Sequence, residues 1–275
     1  MNWIVENINN AFATWNEKLA EIWALIAESP ATFKGGGIWG VMTTINGTLQ
    51  AIGYALLVLF TAMSIFGGTM NMRELRRPEY ALRYFIRFIA AKTAVGYCME
   101  VMTLVFEICG GVASNMASAL SGISAAQVTL PQEVINDIES VGFFDSIPLW
   151  IVTLLGSLLI TVLSFMMIMT VYGRFFRLYM YTAIAPIPLS MFGGEATAQH
   201  GKTFIRNYAA VCLEGAVVML ALIIFSGFAG SAPVLSGSTA VMKVWSYIGE
   251  TVFSMLVLVG LVKGSERMAK ELFGL

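Results

Sequence analysis

Four carboxylates stand in stretches that are otherwise apolar: Glu100, Glu107, Glu214 and Glu250. An acidic group deep in hydrocarbon costs about 2.5–3.5 kcal/mol on insertion scales, so each needs a physical reason. Such side chains can line a polar path, or they can bind helices to one another, and the residues leave both open. Glu100 and Glu107, seven positions apart, share one face of a helix. A second group is cationic. Arg174 and Arg177 stand before, and Lys202 and Arg206 after, a short apolar run interrupted by Pro186 and Pro188. The four cations are candidates for partner contact, and the two prolines for holding the segment in a bend.

Other chemistry is excluded by spacing. Gly201-Lys202-Thr203 imitates the end of a phosphate-binding loop, but that loop needs glycine where Ala196 stands, and a strand before it. No HExxH or GxSxG motif occurs. Cys98, Cys109 and Cys212 lie inside apolar runs without metal-ligand spacing and are expected to act as small apolar filler. His200, the one histidine, is expected in a solvated loop. The chain is therefore expected to be no enzyme and to hold neither metal nor cofactor.

The elements that must position these residues are helices in a membrane. Hydrophobic residues make up 57% and charged ones 12%, with mean hydropathy +0.76, against roughly a quarter charged in soluble domains. No basic stretch precedes an apolar core at the N-terminus, so no cleavable signal peptide is expected. Residues 1–46 hold an amphipathic helix and a glycine-rich linker. Val5, Ile8, Phe12, Trp15, Leu19, Ile22 and Ile26 recur on one face, with Glu6, Glu17 and Glu21 opposite. That acidic polar face does not suit anionic headgroups, so the helix is expected either to pack on a partner or sibling subunit or to lie in the interface, anchored by Trp3, Trp15 and Trp23. Residues 47–275 form the transmembrane domain, with spans at about 47–70, 88–112, 148–172, 207–230 and 244–262.

Arg73, Arg76, Arg77, Arg83 and Arg87 crowd the loop 71–87 and place it in the cytoplasm. Loop 113–147 has acidic residues and no Lys or Arg, so it belongs outside. If the proline-broken segment, about 178–193, enters and returns, cytoplasmic and external Lys plus Arg divide 13 to 3. If it crosses, the asymmetry nearly vanishes. The expected architecture is all-α: five spans, one re-entrant segment and an amphipathic helix, with the N-terminus outside and the C-terminus inside.

Arg174-Phe-Phe-Arg177, then Ala185-Pro186-Ile187-Pro188, then basic Lys202–Arg206 and Gly215, together with this plan, resemble the TrbL-type polytopic inner-membrane subunits of type IV secretion systems. The resemblance covers about residues 45–262. The chain departs from many relatives by lacking long soluble extensions, and its short form resembles those on conjugative elements of Gram-positive bacteria. The resemblance implies a homo-oligomeric channel or platform subunit in a bacterial cell membrane. It would help move DNA and protein, with ATPases and a coupling protein as partners. A small-solute transporter is the alternative, since broken helices also build substrate sites. Against it stand the single broken segment and the lack of an internal repeat. A holin-like structural assembly protein is a third possibility.

Overall fold

The computed structural model describes residues 2–26, 28–68, 78–119, 127–140, 146–229 and 239–275. Arg73, Arg76 and Arg77 lie outside the described residues, as do parts of the acidic loop 113–147. Among the described residues the protein is all-helical. The α-helices are α1 (Asn2–Ile26), α2 (Gly37–Gly68), α3 (Pro78–Gly96), α4 (Cys98–Ala119), α5 (Gln132–Ser140), α6 (Ser146–Ile184), α7 (Pro186–Ser190), α8 (Ala198–Ala229) and α9 (Ala240–Leu272). Four of them (α2, α6, α8 and α9) are long and apolar enough to cross a membrane, and the bent pair α3–α4 makes five if counted as one span.

The spans expected at about 148–172 and 244–262 sit inside longer helices, and those at about 47–70 and 207–230 fall largely within α2 and α8. Helix α6 has 39 residues, about 58 Å at ~1.5 Å per residue, nearly twice the ~30 Å hydrocarbon core. Apolar runs mark only the part of a helix that suits lipid. Helical backbone continues through Arg174 and Arg177 until proline stops it. The basic stretch Lys202–Arg206, expected in a loop, is likewise helical, because α8 starts at Ala198.

The chain forms two compact units, and α4, α6, α8 and α9 contribute residues to both. The first unit comprises Met1–Ala27, Ala113–Gly173 and Gly215–Ser265. Here the apolar stripe of α1 is covered by the chain itself, which corrects the expectation of a partner. Ile8, Phe12, Trp15, Leu19, Ile22 and Ile26 are all buried, while Val5 is half-buried and Ile4 beside it is buried in its place. Trp15 packs on Phe225 with ring centroids 6.3 Å apart, and Trp3 packs on Trp150 at 5.8 Å. The side-chain amide of Asn16 exchanges two hydrogen bonds with the backbone of Val128, at 2.9 and 3.0 Å. Tyr172 donates its hydroxyl proton to Glu21 at 2.9 Å. Lys18 contacts Glu21 at 2.8 Å and Glu17 at 3.3 Å. The hydrogen bond to Glu21 chiefly holds its ammonium pKa above the ordinary lysine value. The polar face of α1 is thus internally bonded as well.

Short polar devices end these helices. Thr239 accepts the Met242 N–H on its hydroxyl at 3.4 Å, capping α9. Pro131 precedes α5 and accepts the Val134 and Ile135 N–H groups. Across the α1–α2 connection, Lys34, Gly35 and Gly36 all have positive φ. A Cβ on Gly36 would lie 2.7 Å from the Ala31 carbonyl oxygen, so this turn requires glycine.

Candidate functional site

The second unit comprises Glu28–Val112, Arg174–Glu214 and Glu266–Leu275, and it holds the proline-broken segment. Proline has no N–H, so Pro186 leaves the carbonyl of Thr182, four residues back, without its helical donor. Helix α6 therefore stops at Ile184, and the one-and-a-half turns of α7 begin with Pro186 at their N-terminus. A 3-10 turn, Met191–Gly193, leads on to α8. The segment is the descending limb of a hairpin whose returning limb is the start of α8. Tyr181 packs on Tyr208 and Phe204 of that limb, with centroids 6.2 and 5.5 Å apart.

Irregular backbone in a membrane must be covered by protein or face water, and here α2 and α3 cover it. Asn46, fully buried, donates from Nδ2 to the orphaned carbonyl of Thr182 at 2.7 Å. Gly53 lets the backbones touch, since a Cβ there would lie 2.9 Å from the Pro186 carbonyl oxygen. A Cβ on Gly193 would lie 2.8 Å from Thr61 Oγ1, and one on Gly194 would lie 3.0 Å from the Phe60 carbonyl oxygen. Ser64 accepts the Glu195 N–H at 3.1 Å. Positions 46, 53, 57, 60, 61 and 64 thus run along one side of α2, parallel to the descending limb.

The same face of α2 serves a second break. The span expected at 88–112 is not straight, because α3 and α4 bend by 78° at Tyr97. Gly96 admits the Tyr54 hydroxyl, which would lie 2.9 Å from a Cβ placed there. Gln50 donates to the Gly96 carbonyl at 3.3 Å, and a side chain inserted into the helical ladder is a recognised cause of kinking. Asn46 also donates to Cys98 Sγ at 3.3 Å. One turn of α2, Asn46 to Gln50, therefore serves the carbonyls at both breaks. Neither residue stands out by hydropathy; the available signal is two amides at i and i+4 at the edge of an apolar run.

At the base of the hairpin the cations are used internally. Arg177 donates from one nitrogen to both Glu214 oxygens at 2.7 and 2.8 Å, and from the other to Glu266. Lys270 holds the second Glu266 oxygen at 2.7 Å. Glu214 is only 1% exposed. Arg174, 2% exposed, reaches the Cys212 carbonyl at 3.5 Å, with its guanidinium 5.7 Å from the Phe175 ring centroid. At the tip, Glu195 lies between Arg83 and Arg87, at 3.9 and 3.8 Å. Such exposed pairs contribute ~0–1 kcal/mol each.

The sequence candidates thus separate by place. From Ala198 to Glu214, α8 rises about 24 Å at ~1.5 Å per residue. Arg174 and Arg177 lie at the base, while Arg83 and Arg87 lie at the tip. Lys202 and Arg206 are exposed on the first turns of α8. Pro186 is buried and Pro188 half-buried. Glu100 and Glu107 are exposed on α4, opposite its buried stripe of Cys98, Met102, Phe106, Cys109 and Ala113. Glu250 is exposed on α9. Among the described residues no ion pair reaches these three glutamates, and only Glu214 joins a charge network.

Long apolar helices with broken backbone sealed by protein, and an acidic group neutralised at the hairpin base, define a multi-pass α-helical membrane protein. More narrowly, the chain belongs to the TrbL/VirB6 plasmid conjugal transfer like protein family, whose model matches residues 15–186, more than half of its length. It is accordingly a membrane component of a conjugal transfer system, of the TrbL/VirB6 type. The match takes in Arg174, Arg177 and Pro186 but stops before the returning limb. No curated protein and no solved structure matches the chain.

Proposed function

We propose that the protein is a channel or platform subunit of a type IV secretion machine in the bacterial cell membrane, helping DNA and protein substrates across while partner ATPases supply energy. It works as a homo-oligomer beside other secretion subunits, with the hairpin tip turned to the ATPases and coupling protein. The observation that carries this is the tip itself. Arg83, Arg87, Lys202 and Arg206 are set on helices around a sealed hairpin, where cations can attract acidic protein surfaces or phosphate. Arg174 and Arg177 are bonded inside the protein, so partner contact falls to Lys202 and Arg206, and Pro186 and Pro188 shape the support beneath them.

Deleting the protein should abolish conjugative transfer and leave nutrient uptake unchanged. Replacing Lys202 and Arg206 together by glutamine should lower transfer at an unchanged protein level. Transfer that persists in the deletion strain would overturn the proposal. A small-solute pathway is the second candidate. One ground against it is gone, since the bend at Tyr97 is a second broken helix beside the first. Loss of uptake with intact transfer would favour it; lesions formed by the purified protein alone would favour a holin-like role.

The tip faces the cytoplasm, with the N-terminus outside and the C-terminus inside. Single cysteines placed at Glu139 and His200 in a cysteine-free chain should react with an impermeant maleimide from opposite sides. Labelling from one side would refute this orientation.

A further inference from the structure

Helix α4 runs across the second unit rather than along it. Helix α3 lies antiparallel to α2: Arg83 and Arg87 reach Glu195, whose N–H bonds Ser64, and at the other end Gly96 meets Gln50 and Tyr54. After the 78° bend, α4 crosses α8 steeply. The Met102 carbonyl accepts the Tyr208 hydroxyl proton at 3.1 Å, and the Cys109 thiol donates to the Ala209 carbonyl at 3.8 Å. At ~1.5 Å per residue these contacts lie about 10.5 Å apart along α4 but only about 1.5 Å apart along α8. With α2 and α8 as spans, α4 lies close to the membrane plane. Its level falls inside an apolar band. Cys98, at the start of α4, takes the Asn46 hydrogen bond at 3.3 Å. Helix α2 exposes large apolar side chains on both sides of that point, Ile38, Val41 and Ile45 before it and Val58, Leu59 and Met63 after it. Yet the face of α4 turned away from α8 carries Glu100 and Glu107 beside Leu104 and Ile108, all exposed.

We infer that this face of α4 lines a water-filled path within the membrane, where its two carboxyl groups favour cationic solutes. Acidic side chains are costly in hydrocarbon and accordingly face a bundle interior or a water-filled cavity. The bundle side of α4 is taken by Cys98, Met102, Phe106 and Cys109, so water is the environment left to Glu100 and Glu107. A spanning helix would set the two at different depths. Helix α4, lying in the plane, holds both at one depth, about 10.5 Å apart on one face, with Leu104 between them. The inference rests on the reading of the protein as a channel or platform subunit, and assigns it a lining rather than a bracing role.

The test adds one cysteine to the full-length chain, as Leu104→Cys, Ile108→Cys or Val58→Cys, in host membrane fragments open to reagent from both faces. Leu104 is 57% exposed and Val58 on α2 is 59% exposed, so the two differ in what covers them. The native cysteines Cys98, Cys109 and Cys212 are buried and set the background. Leu104→Cys and Ile108→Cys should react with methanethiosulfonates carrying a trimethylammonium or a sulfonate group, and Val58→Cys with neither. Relative to a free thiol, the cationic reagent should gain roughly tenfold over the anionic one, the low end for a charge-lined cleft. Adding Glu100→Gln and Glu107→Gln should remove that gain. Leu104→Cys and Ile108→Cys reacting no faster than Val58→Cys would overturn the proposal. Reaction without a cationic gain would overturn it equally, because the carboxyl groups would then lie apart from the water. Either failure, beside a deletion strain that still loses transfer, would strike the lining alone and leave the secretion reading standing.

Discussion

Asn46→Leu should destabilise the detergent-solubilised protein by about 1–3 kcal/mol, the cost of leaving a buried carbonyl without its donor. The affected group is the Thr182 carbonyl, which Pro186 deprives of a helical N–H and Asn46 serves at 2.7 Å. Leucine keeps the volume and apolar character of the site while removing the amide. The informative variant is the pair Asn46→Leu with Pro186→Ala. Alanine at 186 carries an N–H that can bond Thr182 within a continued helix. The double variant should therefore lose less than the sum of the singles, with a coupling of ~1 kcal/mol in the rescuing direction. Thermal unfolding of the four proteins measures it. Strict additivity would show that Asn46 acts by packing alone.

Pro186 and Pro188 were legible because proline has one physical meaning in an apolar helix: a missing donor and a forced break. The group that answers the break was not. Asn46 is distant in sequence from Thr182, and nothing local announces the pairing. The bend at Tyr97 was hidden for a related reason. Its surroundings, about 88–112, read as one span, and Gly96 marks a close approach only once the Tyr54 hydroxyl is beside it. The stripe on α1 was plain from its period, yet what covers the stripe is a tertiary fact. Charge alone did not show where the cations go. Arg174 and Arg177 entered the topology count as if solvated, whereas Arg174 reaches the Cys212 carbonyl and Arg177 is paired with Glu214 and Glu266.

Arg177→Met should be among the most damaging single changes, lowering stability by about 3 kcal/mol, because it strands a carboxylate that is 1% exposed. Arg174 lies near enough to soften the loss, but its guanidinium is directed to the Cys212 carbonyl. Glu214→Gln in the same chain removes the stranded charge and should restore most of the stability, since neutral replacements of buried pairs are often tolerated. Exchanging the two residues should fail. Glutamate at 177 would face Glu266, which now contacts Arg177 and Lys270, and like charges would meet where the wild type has alternation. Accumulation in membranes and thermal unfolding in detergent separate these outcomes. Arg177→Met unfolding within ~0.5 kcal/mol of wild type, the range of ordinary surface substitutions, would mean that Glu214 takes up a proton or leans on Arg174. The three-helix junction at the hairpin base would then not depend on Arg177.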